Sequence, residues 1–265
     1  MSSALTMAGQ GPVSAMPGIG DFFPPAFAFE GTIFEMNRLV LVRLIATVLL
    51  VLVFSIGASR AKLIPTKGQS ILEGLIVFIR DKVAIETLGE KNGRKYAPIL
   101  TVIFLGVLFM NITGVIPGLN IAASSVVAVP LGFALISYVV FVGAGIKHLG
   151  AGQFFKNQLF PPGVPWPLYI LLTPIEFLST FIIRPATLTI RLLANMLAGH
   201  LMLALTFFGT HFLFFEAAGA LKGVGVLTFA GAIGITAFEI FVAGLQAFIF
   251  SILTAVYIKT SIETH

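Results

Sequence analysis

Cysteine is absent from the 265 residues, so disulfides, thiolate metal sites and cysteine nucleophiles are excluded. Charge is scarce as well: Asp, Glu, Lys and Arg make up 10% of the chain against 57% hydrophobic residues, and the mean hydropathy is +1.03. A soluble globule cannot wet its surface with so few charges, so the chain reads as an integral protein of the lipid bilayer. No GxxxxGK[ST] phosphate loop occurs, and the chain is expected to have no active site for ATP of its own. The first 36 residues hold no Lys or Arg. They lack both the basic start of a signal peptide and the Arg-rich character of an organellar presequence, and are expected to be a retained tail of a protein of the bacterial plasma membrane. The net charge of +5 suggests nucleic acid at first sight. In a membrane protein, however, a basic excess marks cytoplasmic loops, so no nucleic-acid partner is expected.

What is present is a series of apolar runs near or beyond the roughly 18 to 20 residues that cross about 30 Å of hydrocarbon. They predict an all-α membrane protein built as one polytopic domain over 1–265, with an extracytoplasmic tail at 1–36 and a first span at 37–59. At 68–93, Leu72, Leu75, Ile76, Ile79 and Val83 recur at helical spacing while Glu73, Arg80, Asp81 and Lys82 turn elsewhere, which predicts an interfacial amphipathic helix. A helical hairpin follows at 97–146, then a polar loop. The apolar stretches 168–215 and 226–260 are each too long for an upright crossing. They are expected to form a strongly tilted antiparallel pair, which brings the membrane-crossing helices to five. By length alone, the first of these stretches can also be cut into two spans turning near Arg184 and Pro185.

Orientation follows from the positive charges. Arg60, Lys62, Lys67, Arg80, Lys82, Lys91, Arg94 and Lys95 crowd the first connection, whereas the 117–126 turn has none. These positions put the N-terminus outside and the C-terminus in the cytoplasm, with Arg38 and Arg43 outnumbered on the other side.

Four ionisable side chains in the apolar stretches ask for a reason: Glu176, Arg191, His200 and Glu239. Any one of them can be a side chain near a helix end that reaches the headgroups, but Arg191 has apolar helix for several turns on both sides. Asn195 lies four residues after Arg191 and shares its face, with Leu188, Ala198 and Met202 extending the stripe. His200, nine residues on, projects about 180° away. Glu239 and Gln246, two turns apart, share a face of the last helix that can look back at Arg191 and His200. A buried carboxylate beside a histidine can pass a proton near neutral pH, while Asn195 and Gln246 serve equally as interhelical hydrogen-bonding glue. A guanidinium is a permanent charge. Beside it, an acid carried past through lipid would ionise.

At these residues the chain resembles subunit a of the F-type ATP synthases. RPATLTIRLLANMLAGH (184–200) resembles the family's arginine signature, FEIFVAGLQAFIFSILTAVYI (238–258) its last helix, and LFMNITGVIPG (108–118) its hairpin tip. The resemblance implies a proton-translocating stator with two offset half-channels to and from the carboxylates of a c-ring, and Arg191 separating them. Asn195 and Gln246 would be neighbours of Arg191. Asn111, His200 and Glu239 would line the outer half-channel, and Glu176 would lie near the cytoplasmic one, although its spacing before the arginine is shifted by one residue. Some members carry an acid at the His200 position and a histidine at the Glu239 position, a joint swap that preserves one proton-passing pair. The implied partners are the c-ring of the rotor, peripheral-stalk b subunits and other ATP synthase subunits, with no cofactor and no metal. The alternative from another class is an ion-coupled secondary transporter, which calls for an internal repeat with paired helix breaks. No such repeat is found.

Overall fold

The computed structural model describes residues 36–59, 62, 65–116, 126–160, 165–216, 219 and 221–263. The 1–36 tail, save its last residue, and most of the 117–126 turn lie outside the described residues, as do Pro117 and Gly118 of the 108–118 motif.

The long helices follow from apolar runs that satisfy their own backbone hydrogen bonds, as lipid demands. The long elements are α1 (Arg38–Ser59), α2 (Lys67–Ile112), α3 (Ala128–Leu149), α5 (Tyr169–Phe215) and α6 (Leu221–Ile262), and a short α4 (Ala151–Leu159) sits between α3 and α5. The five long ones have the length and composition to cross a membrane. At 1.5 Å per residue α5 reaches about 70 Å and α6 about 60 Å, roughly twice the hydrocarbon thickness, so neither stands upright in a bilayer. The helix runs unbroken through Arg184 and Pro185, which removes the two-span reading of 168–215. Pro185 is tolerated there because it occupies the first turn after a π-helical stretch, Ser179–Ile183, where the ladder of hydrogen bonds is already interrupted.

The run α2 contains a reversal. Gly89 has φ 76° and ψ 167°, a backbone state that glycine adopts without a Cβ penalty, and it divides α2 into arms at 67–88 and 90–112. The second arm folds back so closely that a Cβ on Gly93 would stand 2.6 Å from Ile85 Cα and 2.8 Å from the Ala84 carbonyl oxygen. The first arm thus ends at Gly89, four residues before the boundary expected for the amphipathic helix. Of the predicted inward face, Ile79 and Val83 are fully buried and Leu72 and Leu75 partly so, while Ile76 is exposed. A Gly93→Ala chain is expected to lose about 1–3 kcal/mol to overpacking and to melt at a lower temperature in detergent. An unchanged melting midpoint would argue against the fold-back.

The core lies where the second arm of α2, α3, α5 and α6 meet, around Leu100, Ile103, Val107, Phe141, Leu192 and Ile258. Small residues let the helices approach: a Cβ at Gly106 would lie 2.7 Å from the Phe133 ring. Hydroxyl bonds tie α3 to α6, with Ser137 donating to Thr254 Oγ1 at 2.9 Å and Ser261 to the Phe141 carbonyl at 2.9 Å. The stretch read as a polar loop after the hairpin contains α4. Its Phe154 is fully buried with its ring packed onto Gly145 of α3, and Phe155 stacks on Phe181 of α5, so aromatic packing holds a helix too short and polar to announce itself by length.

Candidate functional site

α5 and α6 form an antiparallel pair with a fixed register. Gly199 of α5 faces Glu239 of α6, and fourteen residues back along α6 a Cβ on Gly225 would touch Leu213 at 3.3 Å, fourteen residues on along α5. Continued the other way, this register brings Gln246 level with Leu192, hence with the turn that carries Arg191.

Glu239 is 5% exposed and Gln246 8%, both on the α6 face that turns toward the bundle interior. The shared face expected from their two-turn spacing is therefore present. The Glu239 carboxyl occupies a notch made by Gly199: a Cβ there would overlap both carboxyl oxygens. Glycine in mid-helix costs about 1 kcal/mol relative to alanine, so its presence calls for a packing reason, and the notch supplies one. The position went unread in the sequence because the partner that needs the space lies forty residues away.

The next residue, His200, is half-buried and opens into a cleft of about 330 Å³. Leu203, Ala204 and Phe207 of α5, Thr236 of α6 and the Gly114–Val115 turn form its walls. Thr236 stands one turn before Glu239. Asn111, 0% exposed, stands one turn before Val115 at the end of α2. Of the three residues expected together, His200 lines the cleft, while Asn111 and Glu239 lie outside its walls, each one turn from a residue that lines it, Val115 and Thr236.

Arg191 lies on a different side of α5. It is exposed together with Thr187, Ile190, Ala194, Ala198 and Met202, a stripe of about four turns in the middle of the helix. Among the described residues it has neither an ion pair nor a hydrogen-bond partner. Asn195 is half-buried beside it. Leu188, expected on the same stripe, is 2% exposed and belongs to the packed face, because the i−3 position rotates it toward α6 and the core. Glu176 is not brought to the others: it is half-buried fifteen residues before Arg191, about 22 Å along the helix, with the π-helical stretch between them. A further cation that the sequence reading treated only as a possible turning point, Arg184, stacks its guanidinium over the Tyr257 ring of α6 at 5.2 Å, two turns before Arg191.

Comparison with known proteins accords with this arrangement. The family model described as ATP synthase A chain matches residues 40–259. The chain is 42% identical to the ATP synthase subunit a of Rhodococcus erythropolis over 247 residues, 93% of this chain and 90% of that one. It is 41% identical to the corresponding subunit of Frankia alni over 224 residues, 84% of this chain and 76% of that one. With the subunit of Streptomyces lividans it shares 34% identity over 254 residues, 94% and 88% of the two chains. With a lone arginine on an apolar helix face, a carboxylate seated in the neighbouring helix seam and a family match across nearly all the described helices, the chain belongs to the ATP synthase A chain family, the membrane-embedded subunit a of ATP synthase.

Proposed function

We propose that this chain is the stator through which protons reach and leave the c-ring of a bacterial F-type ATP synthase. Arg191 is the fixed charge between two offset half-channels. The observation that carries the proposal is the division of labour around α5. One side presents a permanent cation on an exposed apolar stripe, with no carboxylate of the described chain to neutralise it. The other side holds a titratable pair at the end of a cleft.

In this mechanism a proton enters the cleft from the side of the basic-free turn and passes His200 and Glu239, with Asn111 and Thr236 offering polar stepping points. From there it loads a c-ring carboxylate that has just left Arg191. Once neutral, that acid can travel through lipid. After the ring has turned, it returns toward the guanidinium and ionises, because an adjacent opposite charge favours the carboxylate. The proton leaves on the Glu176 side of α5, at the end where the basic connections gather. Asn195 and Gln246, flanking the Arg191 turn, hold the two routes apart by hydrogen bonding. The exposed α5 stripe, Ile190 through Met202, is the face offered to the ring. The b subunits of the peripheral stalk hold the chain against rotation. The N-terminus lies outside and the C-terminus in the cytoplasm, as the positive charges of the 60–95 connection and Lys259 require.

Exchanging the two members of the pair tests the relay. His200→Glu or Glu239→His alone is expected to cut proton pumping by inverted vesicles by about 10²-fold or more, the scale of a lost acid-base partner. The double exchange is expected to recover most of it. A double exchange no better than the worse single would remove the pair from the mechanism.

A further inference from the structure

The second arm of α2 and α3 each carry an exposed stripe that ends in basic side chains. On α2 the stripe is Lys91, Lys95, Pro98 and Val102, at successive turns. On α3 it is Leu135, Val139, Gly143 and Ile146, running into Lys147 and His148. The two basic ends meet: Lys95 Nζ stands 3.2 Å from His148 Nε2. Lys91, Lys95 and Lys147 are all close enough to act on the imidazole electrostatically, and among the described residues no carboxylate does so. Of the carboxylates closest in sequence, Glu90 is engaged by Arg94 at 2.6 Å, and Glu86, five residues before Lys91, is not among the groups that act on the imidazole.

Three ammonium groups gathered around one imidazole, with no counter-charge acting on it among the described residues, repel one another, and an external anion relieves that repulsion. The anion's chemistry is set by what lies beneath the cluster. Val102, Val139 and Ile146 are exposed along the stripes, and a side chain at Gly143 would meet nothing within 4 Å, so an apolar track leads away from the charges along the helix axes. A phosphate-sized charge above a long apolar track fits a phospholipid. We propose that this surface binds one anionic phospholipid of the membrane, with its phosphate among Lys91, Lys95, Lys147 and His148 and an acyl chain along the α3 stripe. Lys95 donates either to the neutral imidazole or to the phosphate, so the pair is poised to open toward the lipid without rearranging the helices.

The test uses the intact ATP synthase, reconstituted in nanodiscs of phosphatidylcholine containing a minority of phosphatidylglycerol and then released for native mass spectrometry. The wild type is expected to retain at least one more phosphatidylglycerol than a Lys95→Gln/Lys147→Gln variant, with Lys95→Arg/Lys147→Arg restoring it and excess inorganic phosphate failing to displace it. Equal retention by wild type and the Gln variant overturns the proposal. So does retention of phosphatidylcholine as readily as phosphatidylglycerol, displacement by free phosphate, or a cross-link from Lys95 to an acidic segment of another subunit in place of lipid. The substituted lysines are exposed, and the one contact between helices that they make is the solvent-facing Lys95–His148 bond, so assembly is expected to persist.

Discussion

Replacing Arg191 with Ala abolishes ATP-driven proton pumping by inverted vesicles while the complex still assembles. Assembly is expected to survive because the guanidinium is exposed and holds no partner among the described residues, so truncation opens no cavity and strands no buried charge. Pumping fails because the c-ring carboxyl loses the cation that makes it ionise. An adjacent opposite charge lowers a carboxyl pKa by about 1–3 units, each unit a factor of ten in the ionised fraction. Deprotonation on the exit side should therefore fall roughly 10- to 1,000-fold. The driving term is not small either, since each charge moved is worth about 2.3 kcal/mol per 100 mV, and without the arginine that field has no one-way step to drive. Vesicles stripped of the soluble sector are expected to leak protons more readily, because the positive barrier between the half-channels is gone. Vesicles of the variant that pump at wild-type rate would sink the arginine mechanism.

Gly199→Ala is the second large effect. Its new methyl group would overlap both oxygens of the Glu239 carboxyl, which leaves two outcomes. If the α5–α6 pair spreads, the packing cost is about 1–3 kcal/mol. If the carboxyl is expelled from the notch, the relay loses a partner, on the scale of 10²- to 10⁴-fold. The second is expected, because the antiparallel register is fixed elsewhere by contacts such as Gly225 against Leu213. Combining Gly199→Ala with Glu239→Asp separates the two. The aspartate draws the carboxyl back by one methylene, clears the methyl and is expected to restore part of the pumping. If Gly199→Ala pumps normally, Glu239 does not work from this notch.

Much of this was legible in the chain because lipid enforces simple rules. An apolar run must close its own backbone hydrogen bonds, so length and composition are enough to foretell helices and five crossings. Arg191 announced itself by sitting far from either end of such a run, and the seven-residue spacing of Glu239 and Gln246 fixed their common face whatever they packed against. Where the length of 168–215 allowed two readings, only packing chose: α5 stays continuous through Arg184 and Pro185 with α6 alongside it as a long partner.

What tertiary structure alone decided was always a matter of partners distant in sequence. The reversal at Gly89, the anchoring of α4 by Phe154 on Gly145 and the seating of Glu239 against Gly199 each depend on a second helix filling the space that a missing Cβ leaves. Periodicity reports which way a side chain points from its own helix. It is silent on what stands opposite, and Leu188, placed by spacing beside Arg191 yet buried in the core, marks where that silence begins.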